Sequence, residues 1–184
     1  ADSLQCVFSS GKSIAVILIA MMVDQGYLKY EDPVAKHWPE FAKNGKDKIT
    51  VAQVMRHEAG LARFSKPILT EWLTSENIKK NKVGEIIENE KIEIPEGYTR
   101  VYHAVNRDWI SNEIFRRVEP QGRTFGEYLD EELCGKILNG ADIHIGTNKL
   151  DKCMKTRLVG AGTILLSGCY QTYANVFQTV GLIR

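Results

Sequence analysis

The chain has no long apolar run, no glycosylation sequon, no internal repeat and almost no excess of charge of one sign. Each absence removes a class of function. The longest apolar stretch, Ile14 to Val23, is about half of the roughly 20 residues a helix needs to cross a bilayer, so no membrane span is expected. A secretory signal's apolar region has this length, and Lys12 stands where its charged flank would be. However, the run ends in "MMVDQG" and no small-x-small cleavage site follows. It reads instead as a fully buried helix. A formal net charge of +1 gives no electrostatic ground for binding nucleic acid or an anionic membrane. Lys79, Lys80 and Lys82 do cluster, but Glu85, Glu88 and Glu90 follow at once, the pattern of a solvated helix face.

The four cysteines, Cys6, Cys134, Cys153 and Cys169, show neither metal-ligand nor redox spacing. They read as reduced thiols of an intracellular protein, cytoplasmic or mitochondrial. No His, Cys and carboxylate set has zinc or iron spacing, so neither a metal nor a cofactor is expected. With 184 residues and no Pro/Gly/Ser linker, the chain is long enough for one domain with a real core.

What is present is mainly helical. The first helix is expected from about Ser10 to Gln25, stopped by Gly26. "YLKYEDPVAKHWPEF" reads as an irregular connection broken by Pro33 and Pro39, with His37 and Trp38 as packing. Thr50-x-x-Gln53 is a capping box opening a short helix to about His57, closed by Gly60. Further helices are expected at Ile68–Leu73 and Val83–Glu90, then a turn around Pro95-Glu96-Gly97. Val105, Trp109, Ile110, Ile114, Phe115 and Val118 recur at the spacing of an amphipathic helix. Thr124-x-x-Glu127 is a second capping box, opening a helix to about Leu133. "ADIHIG" fits a short strand, and the apolar stretch from Leu158 fits helix or strand.

"FSSGKS" at Phe8 to Ser13 holds two chemistries. A phosphate-binding loop needs Gly-x4-Gly-Lys-Ser/Thr, whose glycines let backbone N–H groups cradle phosphate. Here Gly11, Lys12 and Ser13 fit, but Cys6 stands at the first glycine position, where a side chain crowds the turn. No magnesium-binding strand or base-recognition motif stands out downstream. The same letters contain Ser-x-x-Lys. On a helix, Ser9 and Lys12 share one face, and the helix N-terminus favours negative charge developing there. At the head of an apolar run, desolvation favours the neutral amine of Lys12, which then serves as a base.

Three blocks in order carry a resemblance: "VFSSGKS…AMMVDQGYLKYEDPVAKHWPEF", "ITVAQVMRHEAGL" and "PEGYTRVYHAVNRDWISNEIFRRV". Over roughly residues 3 to 146 the chain resembles the serine β-lactamase-related family of class C β-lactamases, D-alanyl carboxypeptidases and family VIII esterases. The likeness is greatest to the "β-lactamase domain-containing" members, which have Tyr-His-Ala in place of Tyr-x-Asn. Ser9 and Tyr102 lie 93 positions apart, a separation typical of the group.

The resemblance implies an acyl-enzyme on Ser9, with Lys12 as general-base partner and Tyr102 shuttling a proton to the leaving group of a small ester or amide substrate. Ala104 replaces the motif asparagine, which weakens the β-lactamase reading relative to an esterase; Asn106 is placed either to compensate or, more simply, as a helix N-cap. His57 and His103 read as structural histidines. "HIG" at His144 to Gly146 comes too soon to be the family's third motif, and "KTR" at Lys155 lacks the glycine.

The implied fold class is mainly α: the helical part of the β-lactamase/transpeptidase-like α+β fold, with most of the antiparallel sheet missing from a chain read as a fragment. No strand is expected before Ser9. Residues 1–146 would be the partial domain and 147–184 a divergent tail. The open face of the first helix would be covered by the Leu158–Ile183 tail or by another protomer, giving an oligomer. A non-catalytic helical interaction protein of the same fold stays open beside the hydrolase.

Overall fold

The computed structural model describes residues 4–146, 158–159 and 181–183. The apolar stretch after Leu158, Lys155 of "KTR", and Cys153 and Cys169 fall wholly or mostly outside the described residues. The helices are α1 (Lys12–Asp24), α2 (Val34–His37), α3 (Val51–Met55), α4 (Ser75–Lys79), α5 (Lys82–Asn89), α6 (Asn106–Val118) and α7 (Phe125–Tyr128). A π-helical stretch, Leu129–Ile137, continues α7.

Against them lies a small sheet of β1 (Leu4–Cys6), β2 (Ile143–Ile145), β3 (Leu158–Val159) and β4 (Gly181–Ile183), in the order β2-β4-β1-β3. β1 runs parallel to β3, with Leu4 opposite Leu158, and antiparallel to β4, with Cys6 opposite Leu182. β2 pairs antiparallel with β4, placing His144 opposite Leu182. The expectation of no strand before Ser9 is therefore corrected: β1 ends three residues short of it. "ADIHIG" does contain the strand read there.

α1 corrects a second expectation. Ile14, Ala15, Leu18, Ile19 and Met22 are buried at helical spacing along α6. Val16 and Ile17, however, are 41% and 47% exposed, so the run is buried on one face only. Leu18, Ile19 and Met22 are fully enclosed, each worth on the order of 2 kcal/mol of apolar burial.

The central element is α6, buried all round from Asn106 to Phe115 rather than amphipathic. Its polar groups are tolerated because nearly all are paired. Arg107 bonds Asp108, the Ser111 hydroxyl donates to Arg107 O, and Asn112 Oδ1 accepts the Phe125 N–H. Both capping boxes form as read, Thr50 with Gln53 and Thr124 with Glu127. Pro33 and Pro39 start helical turns rather than merely breaking the chain: Pro33 precedes α2 and Pro39 opens a 3-10 turn to Gly45. This folds "KHWPEF" so that Trp38 and Phe41 are fully buried.

Asp32 anchors that connection. Burial alone would raise its carboxyl, but hydrogen bonds from Lys36 Nζ, His37 Nε2 and the Lys29 N–H outweigh it and hold the group at about 2. A depressed carboxyl stabilises the fold above its unfolded value and loses that contribution as pH falls through the folded one. Stability measured by denaturant titration is therefore expected to decline from about pH 4 towards about pH 2, and Asp32→Asn to flatten that decline. An unchanged acid limb in the variant would remove Asp32 as its source.

Candidate active site

β1 delivers the chain into a sharp turn. Phe8 takes a left-handed φ of 47°, a conformation costing a side-chain-bearing residue about 1 kcal/mol or more. A 3-10 turn, Phe8–Gly11, runs directly into α1 at Lys12. Ser9 sits exposed on that turn, ahead of the helix proper, and Lys12 is the first residue of α1. Gly11 has an ordinary helical φ of −62°, and Lys12 Nζ donates to Ala104 O at 2.5 Å with Asp108 Oδ2 at 3.7 Å. The lysine is thus aimed at α6 and its approach, not along a loop of amide groups as a phosphate cradle would require.

Tyr102 reaches the same place from the other side of the molecule. Its hydroxyl donates to Ser9 Oγ at 2.9 Å, across 93 positions of sequence, and Lys12 Nζ lies 5.6 Å from the centre of its ring. Structure thus brings Ser9, Lys12 and Tyr102 together.

What holds Tyr102 is a pair of histidines. His57 closes α3 with a left-handed φ of 64°. Its carbonyl accepts the Val101 N–H, and its Nδ1 accepts the His103 N–H at 3.0 Å. The residues on both sides of Tyr102 are thereby tied to one residue, and the His57 and Tyr102 rings meet at a tilt of 53° with centres 4.8 Å apart. Burial pushes the His57 imidazole down to about 4, with the positive charge of Arg107, Lys12 and Arg100 adding to it. It is neutral near pH 7 and carries its proton on Nε2.

His103 is fully buried. Its Nε2 accepts the Leu61 N–H at 2.9 Å, so Nδ1 carries the proton and bonds Val101 O. Burial lowers this imidazole as well. Both rings thus bond backbone groups on either side of Tyr102 and the Leu61 N–H.

Asn106 is not the N-cap it was read as. α6 begins at Asn106, the cap position is Val105, and no side chain caps it. The Asn106 amide donates instead to Leu61 O at 3.1 Å, so it is turned towards the 61–69 loop. The bond from Lys12 to position 104 is made by a backbone carbonyl, which an alanine supplies as well as any residue.

Arg107 and Asp108 were missed in the sequence. Arg107 bridges Asp108 Oδ1 and the Lys12 carbonyl, while Asp108 faces the Lys12 ammonium. Both are nearly fully buried. The available signal was an adjacent Arg-Asp pair inside a helix whose apolar neighbours mark the core. His144, in β2, bonds Asp142 at 2.6 Å and lies 3.6 Å from Asp130; its bonds lead away from this cluster. Among the described residues no group of His, Cys, Asp and Glu is arranged to hold a metal ion, and no helix is long and apolar enough to cross a membrane.

The family model described as Beta-lactamase matches residues 1–152. The esterase/beta-lactamase LipL of Mycobacterium tuberculosis is 30% identical over 155 residues, covering 82% of this chain and 33% of that protein. Among solved structures, a penicillin-binding protein homolog from Caulobacter crescentus aligns with a TM-score of 0.75 at 29% identity, covering 100% of this chain and 53% of that one. A family VIII carboxylesterase aligns with a TM-score of 0.70 at 28% identity, covering 85% and 41%. The chain spans about a third of the length of the curated relative it matches, about half that of the first structure and about two fifths that of the second.

Proposed function

The chain belongs to the beta-lactamase family, and from that premise we propose that it is a serine hydrolase cleaving an ester or amide through an acyl-enzyme on Ser9. Its fold is the helical part of the β-lactamase/transpeptidase-like fold, with a small portion of the sheet among the described residues. The observation that carries the reading is the hydrogen bond from Tyr102 to Ser9 Oγ, with Lys12 opening the adjoining helix.

In this reading Ser9 Oγ attacks the substrate carbonyl carbon; as the new C–O bond forms, the Tyr102 oxygen takes the serine proton and passes its own proton to a neutral Lys12 amine. The tetrahedral intermediate collapses by breaking the bond to the alcohol or amine, which leaves with that proton. A water, deprotonated by the same groups, then attacks the acyl carbon, releasing the acid and restoring the Ser9 hydroxyl. The Lys12 ammonium formed as Ser9 attacks is held by Ala104 O and Asp108 until its proton returns through Tyr102 to the leaving group. His57 and His103 fix the position of Tyr102, and Arg107 ties the start of α1 to α6. The relative named an esterase and the carboxylesterase structure favour esters among the candidate substrates.

A fluorophosphonate probe tests the reading without a known substrate. The expected result is one adduct, mapped by peptide mass spectrometry to the peptide containing Ser9. Labelling elsewhere, or none, would remove the acyl-enzyme and leave the non-catalytic interaction protein.

A further inference from the structure

Beside Ala104, where the family's asparagine is replaced, a cleft opens between the start of α6 and the 61–69 loop. Apolar Phe64, Pro67, Ala104 and Val105 line it together with the cations Arg63 and Lys66 and the polar Ser65 and Asn106. The loop is held firmly at three points. Leu61 N–H bonds His103 and its carbonyl accepts Asn106; the Ser65 N–H and hydroxyl both donate to Glu90 Oε1 at 2.8 Å; and the Ile68 side chain is buried.

Glu90 is the acidic group nearest in this network, and it is spent on Ser65. Arg63 and Lys66 are exposed and have no ionic partner among the described residues. This contrasts with Arg56 and Arg100 nearby, both paired with Glu58. A preformed loop thus presents two unneutralised cations over an apolar cleft that shares Ala104 with the Lys12 contact.

We propose that this cleft selects substrates whose apolar arm ends in a carboxylate, with Arg63 and Lys66 binding the anion and Phe64, Pro67 and Val105 enclosing the hydrocarbon. The inference rests on the hydrolase reading of Ser9 for its meaning as substrate selection. The chemistry follows from the two layers of the cleft. A guanidinium and an ammonium on one short loop suit a carboxylate, while a fully polar substrate would leave the apolar wall unused. The replacement of asparagine by Ala104 fits the same picture, since a methyl group neither bonds a substrate amide nor fills the entrance. For a monoester of a dicarboxylic acid, the Ser9 oxygen would bond the ester carbon, the alcohol would leave with the serine proton, and water would release the diacid.

The test uses N-butylglutaramate, which keeps an amide and a terminal carboxylate, and N-butylpentanamide, its neutral counterpart of similar shape. Binding of each to the Ser9→Ala chain is measured by calorimetry, so no turnover is needed. The anionic amide is expected to bind about tenfold more tightly. That advantage should vanish on adding Arg63→Gln and Lys66→Gln, and shrink in 1 M salt. Equal affinities, no measurable binding of either at millimolar concentration, or an advantage that survives both substitutions would overturn the proposal. Arg63 and Lys66 are exposed, and a melting curve matching that of the parent verifies that the variant is folded. Ser9-dependent hydrolysis of p-nitrophenyl butyrate by the unaltered chain reports separately on the hydrolase reading. A carboxylate preference without hydrolysis sinks that reading alone, and hydrolysis without the preference sinks this proposal alone.

Discussion

Ser9→Ala is expected to abolish probe labelling and bring ester hydrolysis to the uncatalysed background, while Tyr102→Phe is expected to keep the label but form it about 10²- to 10⁴-fold more slowly. The two differ because the residues do different things. In the proposed mechanism Ser9 supplies the atom that becomes covalently bound; it is the hydroxyl bonded by Tyr102, whereas the Ser13 hydroxyl donates back to Ser10 O. In the same mechanism Tyr102 supplies an oxygen that moves protons, and its loss would leave Ser9 and the Lys12 contact with Ala104 O in place. Both side chains are exposed, Tyr102 by 54%, so neither change should shift the melting temperature appreciably. That separates chemistry from folding. Because the groups act as a unit, Lys12→Met combined with Tyr102→Phe should cost little more than the worse single change. Labelling of Tyr102→Phe at the parent rate would sink the proton-shuttle role and leave Ser9 dependent on Lys12 alone.

Local chemistry was legible in the sequence, and long-range chemistry was not. Thr50 with Gln53 and Thr124 with Glu127 are capping boxes that close within three residues, so nothing distant can override them. Ser9 and Lys12 are close for the same reason. Tyr102 was found through the resemblance, because no local rule connects it with a serine 93 positions away. Asn106 shows the opposite failure. It occupies a position where a capping residue is favoured, yet its amide is taken by Leu61 O, a partner in another block of sequence.

β1 was missed because it is three residues long and gains its hydrogen bonds only from β3 and β4, at the far end of the chain. Ala104 is a subtler case. The atom that matters at that position is the carbonyl oxygen, which side-chain identity does not report. Arg107 and Asp108 lie between the apolar positions of α6, and their burial follows only from its enclosure on every side. The apolar periodicity of that helix was real, but periodicity marks where apolar residues lie and cannot say whether the polar positions between them also meet protein.

The same enclosure sets the largest expected stability effect. Glu113, fully buried on α6, accepts from Arg116 Nε and from Arg117 Nη1, the latter at 2.5 Å. Both arginines also donate to Asn81 Oδ1, and Asn81 Nδ2 and Trp38 Nε1 converge on Glu88 Oε1. The Arg117 guanidinium lies 3.9 Å over the Trp38 ring. Gly84 allows α5 to come this close, since a Cβ there would stand 2.0 Å from Asn81 Oδ1 and 3.0 Å from a Glu113 carboxyl oxygen. Burial pushes the Arg117 guanidinium down, with Glu113 and Glu88 pulling the other way. Glu113→Ala removes the main counter-charge from two arginines that are 12% and 15% exposed. It is expected to cost about 3–5 kcal/mol in denaturant unfolding, a large part of a typical domain's margin. Exchanging all three at once, Glu113→Leu with Arg116→Met and Arg117→Met, should recover much of that loss, because no buried charge is then left unpaired. If the triple change were as damaging as Glu113→Ala, volume rather than charge would govern the site. If Glu113→Ala cost under about 1 kcal/mol, the range of an exposed pair, the arginines would have to reach water or another carboxylate when Glu113 is gone. Glu88 is the nearest candidate, already 3.8 Å from Arg117, so Glu88→Gln in the Glu113→Ala background would reveal that rescue as an added loss.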